Sequence, residues 1–300
     1  MTSRVSRSRD EVPSRDVPPS LSRALDDVSL VRAIGELYAP GAPEPDLVAL
    51  CAALAGREIT LDVPGGRVRV DLGDWTSIVM IRLGAWEPHL LGLVRALVRP
   101  GATVLDIGAH VGAWTMLFAS LVGPTGSVIA CEPSPASAAR LRAMTDARVR
   151  VIETAIGDRV GRATLFGDGD SMLRSLVPEA LGGPSSTSEV AITTMDSLGV
   201  ERADLIKIDT EGFELRVLRG GQTLLARCDP TLVIELHATA LRALDEDTTD
   251  VFAWLRGEGF CVFDLRPEGT ELCVEPLRDT PTTNHVLARR DPAGFVVPLR

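Results

Sequence analysis

An acid and two glycines lie close together where an apolar stretch meets a helical one. Residues 102–107 have the pattern of a buried parallel strand that contains Asp106; Gly108 and Gly112 follow, and 113–121 has a helical pattern. A strand, a glycine turn and a helix bring the backbone close to a nucleoside. Dinucleotide sites use G-x-G-x-x-G around a pyrophosphate, for which an acid at this position is poorly placed. The spacing favours a ligand with an ammonium and a sulfonium group, namely S-adenosylmethionine (SAM).

A second acid ends the next predicted strand. Residues 127–131 form this strand, and Glu132 follows it about 20 residues after the glycine turn. An acid at this place can accept hydrogen bonds from both ribose hydroxyls. Taken singly, Asp106 could be a helix N-cap and Glu132 a surface acid before Pro133. Their positions on consecutive strand ends favour a nucleoside site.

A third group of ionisable residues follows two later strands. The strand predicted at 204–208 leads into Asp209 and Glu211, and the next strand leads through Glu235 to His237. Ligands of open α/β sheets bind at the carboxyl ends of strands, so these side chains are expected at the rim of the same crevice. Histidine titrates near neutrality, so His237 is the candidate general base for a substrate hydroxyl, assisted by Asp209 or Glu211.

Other interpretations of these residues stay open. Lys207, the only lysine of the chain, is predicted to form a buried pair with Glu235 across adjacent strands, because a buried lysine is costly without a partner. That pair could be purely structural, and Glu211 could simply complement a helix N-terminus. Asp209, Glu211 and His237 could also bind a divalent ion, but no tight spacing motif supports this and we predict no metal site.

The alternation of strands and helices predicts a doubly wound, mostly parallel, seven-stranded Rossmann-like sheet. The last two strands lack a helix between them and should form an antiparallel edge hairpin. Two further strands are expected at 162–166 and 189–194. The strands of the main sheet are predicted at 102–107, 127–131, 150–155, 204–208, 231–236, 261–265 and 284–288. The helices of this part are predicted at 113–121, 135–144, 213–225 and 249–258.

The region before this sheet has a different organisation. Residues 1–20 are rich in Ser, Arg and Pro and are predicted to be a disordered arm. Residues 21–76 form an N-terminal helical and β-hairpin extension, and 77–300 form the cofactor-binding domain. Gly167 to Ser188 is predicted to be a long loop near the substrate. Within these regions we expect helices at 21–37, 46–54 and 87–98, a hairpin of 59–63 with 68–72, and a strand at 77–83.

The composition narrows the class of protein. The chain has 300 residues and 45% hydrophobic content, which is ordinary for a globular α/β protein. A net charge of −10 argues against a protein that binds along nucleic-acid phosphates. The five cysteines are scattered and form no C-x-x-C, and no run is long enough to span a membrane, so we expect a cytoplasmic protein with reduced thiols.

Four segments together resemble the FkbM family of methyltransferases. They are Trp86-Glu87-Pro88, residues 104–112, Glu132 to Pro135, and Ile206 to Glu214 followed by Val217-Leu218-Arg219-Gly220. The last of these is the most specific, and the resemblance extends over about residues 70–290. It implies a seven-stranded SAM-binding fold that transfers a methyl group to oxygen, usually in a secondary metabolite, a sugar or a lipid-linked glycan.

The resemblance also assigns residues. It places the cofactor turn at Asp106 to Gly112, the ribose at Glu132 with Ser134 beside it, and the methionine end of SAM near Glu87. The adenine edge would lie at the end of the third strand. The family usually has a small polar residue, often Asn, at the position of His110, so the role of this side chain is open. The cofactor-binding residues expected in this way are Glu87, Asp106, Gly108, Ala109, His110, Gly112, Glu132, Ser134, Thr154 and Ala155.

The expected activity is therefore SAM-dependent O-methylation of a small molecule or sugar, with a homodimer as a possible assembly. N-methylation of an amino sugar or peptide would use the same cofactor site. A nicotinamide-dependent oxidoreductase and a SAM-binding protein without catalysis are alternatives of other classes. The spacing of Gly108 and Gly112 argues against the oxidoreductase, and the ionisable residues near Asp209 argue against the inactive protein.

Overall fold

The described chain begins with helices and a hairpin that precede the main sheet. The computed structural model describes residues 26–38, 46–167, 175–177, 186–268, 271–278, 281 and 284–291. The predicted arm at 1–20 and most of the predicted loop at 167–188 lie outside these residues. The first elements are α1 (Asp27–Leu37), α2 (Leu47–Leu54), β1 (Glu58–Val63), β2 (Gly66–Asp71) and α3 (Trp75–Leu83).

Aspartate caps fix where the first two helices begin. The Asp26 carboxylate accepts a hydrogen bond from the Ser29 N–H at 2.8 Å, so α1 starts at Asp27 within the predicted helix 21–37. The Asp46 carboxylate accepts from the Ala49 N–H at 3.1 Å and caps α2 in the same way. The predicted hairpin is confirmed as antiparallel β1 and β2.

The strand predicted at 77–83 is wrong, because these residues form helix α3. The Asp74 carboxylate accepts from the Thr76 N–H at 3.1 Å and caps the helix, and Gly84 ends it at φ 72°. Ile78 packs into the same apolar core as Leu30 of α1, which buries one face of α3. The division predicted between residues 76 and 77 therefore falls inside α3.

Within the described residues, the main sheet has eight strands in the order β12-β11-β13-β10-β9-β3-β4-β5. The five strands from β10 to β5 are parallel, and β13 enters antiparallel between β10 and β11. The strands are β3 (Thr103–Ile107), β4 (Ser127–Cys131), β5 (Val149–Ile152), β9 (Leu205–Ile208), β10 (Thr231–Glu235), β11 (Cys261–Glu268), β12 (Glu271–Pro276) and β13 (His285–Arg289). The predicted doubly wound, mostly parallel sheet is confirmed.

Two details of that prediction are wrong. The edge of the sheet is β12, which the sequence did not indicate, whereas β13 pairs with β11 but lies inside the sheet. The predicted third strand, 150–155, is divided between β5 and a short strand of a second sheet. This three-stranded sheet has the order β6-β8-β7. Its strands are β6 (Ala155–Ile156), β7 (Gly161–Phe166) and β8 (Thr187–Thr193).

Helices cover both faces of the main sheet. The predicted helix 87–98 consists of a 3₁₀ turn, Pro88–Leu90, followed by α4, and the predicted helix 213–225 is two helices. The break falls at Gly220, where a Cβ atom would lie 1.9 Å from the carbonyl oxygen of Gly157. The remaining helices are α4 (Leu91–Leu97), α5 (Ala113–Val122), α6 (Pro135–Met144), α7 (Glu214–Arg219), α8 (Gln222–Cys228), α9 (Ala238–Ala243) and α10 (Thr248–Gly257).

Apolar side chains on both faces explain why the central strands read as continuous hydrophobic runs. Ile206 packs on one face in a cluster that includes Leu215. Val104 and Val233 pack on the other face in a cluster that includes Phe118. Burial on both faces is typical of parallel strands with helices on either side. Within the described ranges, no helix combines the length and the apolar character that crossing a bilayer requires.

The turn after β3 is packed so tightly that it admits only glycine. Gly108 has φ 88°, and a Cβ atom there would lie 1.7 Å from the carbonyl oxygen of Asp209. Its N–H donates to the carbonyl of Cys131 at 2.9 Å, which fixes the turn to the end of β4. The turn is therefore wedged between the ends of β4 and β9.

We expect Gly108→Ala to destabilise the protein by about 2–6 kcal/mol, because it combines strain at a positive φ with a backbone clash. The matched control is Gly92→Ala in α4, where a Cβ atom meets nothing within 4 Å. That variant should be stabilised by about 0.5–1 kcal/mol. Denaturant unfolding followed by circular dichroism measures both. Equal midpoints for Gly108→Ala and the native protein would contradict this account of the turn.

Candidate active site

The carboxyl ends of β3, β4 and β9 border a cavity of about 650 Å³. The cavity lies where the strand order reverses between β9 and β3, the place where open α/β sheets bind ligands. Its walls include Gly108, His110, Glu132, Pro133, Thr154, Ala155, Asp209, Thr210, Glu211 and Phe213.

Glu132 stands on this wall with its carboxylate held by two backbone groups. Oε2 accepts from the His110 N–H and Oε1 accepts from the Ser134 N–H, both at 2.8 Å. Each carboxylate oxygen has a second lone-pair direction, so both can still accept from a hydroxyl in the cavity. The structure thus brings the predicted ribose acid to the cavity and fixes its orientation.

Asp106 lies beneath the cavity wall. Its side chain is 1% exposed, and Oδ2 accepts from the Thr115 hydroxyl at 2.5 Å. Burial raises the pKa of Asp106 to about 6, against the opposing effects of Lys207 and Thr115. Among the described residues that border the cavity, Gly108 is present and Asp106 is not. The predicted contact between this acid and the ligand stays a prediction.

The other residues of the turn also act through the backbone. The Ala109 N–H donates to Cys131 at 3.1 Å, and Gly112 precedes α5 with φ 88°. His110 is held at φ 47°, and its Nε2 lies 3.3 Å from Oδ2 of Asp74, the cap of α3. His110 therefore both borders the cavity and links the turn to the N-terminal helices.

Three of the expected cofactor-binding residues follow the ends of β4 and β5, namely Ser134, Thr154 and Ala155. The Ser134 hydroxyl accepts from the Ser137 N–H at 3.4 Å and caps α6, so this side chain has a structural task. Thr154 and Ala155 border the cavity where the adenine edge was expected. The Thr154 hydroxyl donates to the carbonyl of Ala191 at 3.2 Å, which joins this wall to β8.

Glu87 is enclosed by protein partners. The Trp114 indole Nε1 donates to its carboxylate at 2.6 Å, Lys207 Nζ lies 3.9 Å away, and His285 Nε2 forms an ion pair with it. Burial alone would raise the pKa of Glu87, but Lys207 and His285 outweigh burial and hold the pKa at about 2. Three protein groups thus surround the Glu87 carboxylate, and its expected approach to the methionine end of SAM stays a prediction.

Lys207 pairs with different acids than the sequence suggested. Its Nζ lies 2.8 Å from Asp209 and 3.9 Å from Glu87. Burial opposes the charged form, but these carboxylates outweigh it and raise the pKa of Lys207. The predicted direct pair with Glu235 is wrong, because the register places Val233 beside Lys207.

His237 lies between several carboxylates at the end of β10. Its Nδ1 is 3.0 Å from Glu214, and its Nε2 is 3.2 Å from Glu211 and 3.8 Å from Glu235. Burial lowers the pKa of His237, but the hydrogen bond with Glu214 and the charge of Glu211 outweigh burial and raise it to about 10. The imidazole is therefore protonated at neutral pH.

Glu211 faces both His237 and the cavity. The residue is held at φ 51°, and its carboxylate lies 3.2 Å from Nε2 of His237. Burial raises the pKa of Glu211 to about 8, although the charge of His237 opposes the shift. Asp209 differs, because Lys207 outweighs burial there and lowers the pKa of Asp209. The two acids of this rim therefore have different protonation states near pH 7.

Ligand atoms of Asp209, Glu211 and His237 lie within 4.8 Å of one another, so these residues could hold a divalent ion. The same is true of a more enclosed group, which is formed by Glu87, Glu235 and His285.

Sequence reasoning missed three side chains that shape the site. Glu214 is fully buried and lies 3.0 Å from Nδ1 of His237, a contact that the sequence analysis did not predict. His285 meets Glu87 because β13 enters the sheet beside β10, a pairing that nothing in the local sequence signals. No role was predicted for Trp114 from the sequence, and its indole N–H donates to the Glu87 carboxylate.

The sheet order, the glycine turn after β3 and the acid after β4 together define a class I methyltransferase fold. The family model of the methyltransferase FkbM domain matches residues 106–262, from Asp106 on β3 into β11. The chain belongs to the FkbM methyltransferase family. The resemblance seen in the sequence and the methyltransferase class are thereby confirmed, and the family implies SAM as the methyl donor.

Relatives of known name are methyltransferases as well. The chain is 33% identical over 200 residues to the 31-O-demethyl-FK506 methyltransferase FkbM of Streptomyces tacrolimicus, covering 55% of this chain and 75% of the relative. It is 30% identical over 155 residues to the 2-O-methyltransferase NoeI of Sinorhizobium fredii, covering 45% of this chain and 63% of the relative. A crystal structure of a methyltransferase FkbM from Methylobacillus flagellatus is 15% identical with a TM-score of 0.42, and the match covers 87% of this chain and 58% of that one.

We expect Lys207→Met to destabilise the protein by about 3–5 kcal/mol at pH 8, because two buried carboxylates lose their cation. Without the cation, Asp209 and Glu87 should have folded pKa values above their unfolded ones. They would then take up protons as the pH falls, so the loss should be smaller at pH 5 than at pH 8.

Urea unfolding at both pH values measures this effect. The control is Arg162→Met, which removes a cation from an exposed pair with Glu189 and should cost at most about 1 kcal/mol. The double variant Lys207→Met/Asp209→Asn should recover part of the stability. A pH-independent loss in the single variant would show that lost packing, rather than unpaired charge, is the cause.

Proposed function

We propose that the protein transfers the methyl group of SAM to a hydroxyl oxygen of a small molecule or sugar. The observation that carries the proposal is the cavity at the strand ends, with Glu132 at one side and the Asp209–Glu211 rim at the other. The FkbM and NoeI relatives support oxygen as the acceptor atom, since the name of each includes a numbered O position.

In this proposal, the donor binds in the cavity with its nucleoside toward β4. The Glu132 carboxylate would accept from the two ribose hydroxyls, and the adenine would lie against Thr154 and Ala155. Gly108 borders the cavity, and the absence of a side chain there lets the turn pack against the backbone of Asp209. The reactive sulfonium would then lie toward Asp209 and Glu211.

The reaction is a direct displacement. The acceptor oxygen forms a bond to the methyl carbon while the carbon–sulfur bond breaks, and sulfur keeps the electron pair to give the neutral thioether. Alignment of oxygen, carbon and sulfur by binding can supply roughly 7–11 kcal/mol of the barrier. The proton of the hydroxyl passes to a base of the protein, for which a gain of about 10²–10⁴-fold is typical.

We assign this base to Glu211, with His237 as the residue that positions it. The sequence had favoured His237, but that imidazole sits between Glu214 and Glu211 and is already protonated. Glu211 borders the cavity directly, and burial raises its pKa to about 8, close to the working range of a general base. Asp209, ionised beside Lys207, adds negative charge next to the cationic donor.

The first test is binding. Calorimetry should show that the protein binds SAM and S-adenosylhomocysteine (SAH) but not NAD. Glu132→Gln should weaken SAH binding by about 10–100-fold, because an amide NH₂ replaces an acceptor and faces a backbone N–H. Glu153→Gln, an exposed acid paired with Arg142, is the control and should bind like the native protein. No heat with SAH for the folded native protein would overturn the proposal.

The second test is turnover. Screening hydroxylated macrolides and sugars for transfer of a labelled methyl group identifies an acceptor, and NMR of the product distinguishes O-methylation from N-methylation. The rate should rise with pH through about 8 as Glu211 loses its proton. Glu211→Gln should lower kcat by about 10²–10⁴-fold and remove this dependence.

Variants of His237 separate the two assignments. Because the His237 charge lowers the pKa of Glu211, His237→Asn should shift the pH dependence of kcat to higher pH while activity persists. Loss of all activity in His237→Asn at every pH would return the base assignment to His237. Activity that vanishes on dialysis against EDTA and returns with a divalent ion would favour a metal at Asp209, Glu211 and His237 instead.

A further inference from the structure

One peptide group at the rim of the active site has both of its polar atoms held by side chains. The carbonyl of Glu211 and the N–H of Gly212 belong to this peptide. The Ser175 hydroxyl donates to the carbonyl at 2.6 Å, and the Gly212 N–H donates to the Glu214 carboxylate at 2.8 Å. The peptide is therefore fixed from two sides, by the first residue of α7 and by a residue that lies between β7 and β8.

This peptide needs such support because its backbone conformation is unusual. Glu211 has φ 51° and Gly212 has φ 107°. Few residues other than glycine occupy the left-handed region unless their surroundings hold them there. Glycine has no Cβ atom and adopts many conformations, so an unheld peptide would be free to turn over and displace the side chain of Glu211.

Ser175 is oriented for this contact by its own neighbours. It is 1% exposed, and its backbone pairs with Phe166 through hydrogen bonds of 2.9 and 3.1 Å. The Val177 N–H donates to the Ser175 hydroxyl oxygen at 2.9 Å. A hydroxyl has one hydrogen to donate, and here it goes to the carbonyl of Glu211.

We propose that Ser175 is a positioning residue for methyl transfer, which holds the Glu211–Gly212 peptide so that the Glu211 carboxylate meets the acceptor hydroxyl. The inference rests on the proposed function, in which Glu211 is the base. Ser175 does not touch the reacting atoms in this proposal and acts through the backbone of Glu211.

The surroundings of Ser175 connect this hydrogen bond to the reaction. Ser175 and Glu211 both border the cavity of about 650 Å³. The Glu211 carboxylate lies 3.2 Å from Nε2 of His237, and Nδ1 of His237 lies 3.0 Å from the Glu214 carboxylate that holds the same peptide. A small misplacement of a reacting group can lower a rate about 10²-fold. Loss of the Ser175 hydroxyl should therefore lower mainly kcat.

The first measurement is the turnover of Ser175→Ala with the acceptor that the methyl-transfer screen identifies. Its kcat should fall about 10–100-fold, while KM for the acceptor and the Kd for SAH should change by less than about threefold. Ser175→Thr keeps the hydroxyl and should restore most of kcat. The matched control is Ser186→Ala, which should keep the native kcat. Ser186 is exposed and its hydroxyl also donates to a backbone carbonyl, that of Gly167.

The second measurement needs neither donor nor acceptor. The ring nitrogens of His237 report where the Glu211 carboxylate lies, because Nε2 faces Glu211 and Nδ1 faces Glu214. In nitrogen NMR at neutral pH, Ser175→Ala should move the Nε2 signal and leave the Nδ1 signal nearly unchanged. His237→Asn lacks both signals and so identifies them.

The outcomes separate this inference from the proposed function. Native kcat in Ser175→Ala, even with a lower melting temperature, would show a merely structural role and overturn the inference. An unmoved Nε2 signal would overturn it as well. If Ser175→Ala fails to fold, Ser175→Cys fills nearly the same space with a weaker donor and provides both measurements. A moved Nε2 signal, together with a native protein that binds no SAH, would overturn the proposed function while the hold on Glu211 stands.

Discussion

Lys207 is the cation on which the carboxyl edge of the sheet depends. It is 2% exposed, lies 2.8 Å from Asp209 and pairs in register with Asp106 on the neighbouring strand. Buried carboxylates are costly unless an opposite charge or hydrogen-bond donors accompany them. This ammonium group allows several acids to collect at one sheet edge, and it keeps Asp209 ionised where a ligand can reach it.

The same group of charges joins distant parts of the chain. Glu87, which precedes α4, contacts Lys207 on β9 and His285 on β13, and it also accepts from the Trp114 indole on α5. The edge of the active site is thus fixed by elements from both ends of the described chain. Polar groups that are oriented before the ligand arrives need little reorganisation when charge moves in the reaction.

Sequence patterns predicted the fold well because burial on both faces gives strands that are easy to recognise. They failed for α3, where a β-branched run suggested a strand while the caps at Asp74 and Gly84 favour a helix. For the site, spacing placed the acids at the correct strand ends. Spacing alone does not decide whether a carboxylate faces the cavity or the interior. Asp106 faces the interior, where the Thr115 hydroxyl donates to it. Glu87 does so as well, where it contacts Trp114 and His285.

The charge of this edge also limits what it can contribute to the reaction. SAM carries a positive sulfonium and SAH a neutral sulfur, so acids such as Asp209 attract the substrate form of the donor more than the product form. In the displacement, however, positive charge leaves the sulfur as the methyl group is transferred. Acids that stabilise the cationic donor therefore do not by themselves lower the barrier, since only interactions that are stronger in the transition state do so. In the proposed reaction, acceleration would then come from alignment and from a base, the role that we propose for Glu211, at an edge held in place by Lys207, Glu132 and the glycine turn.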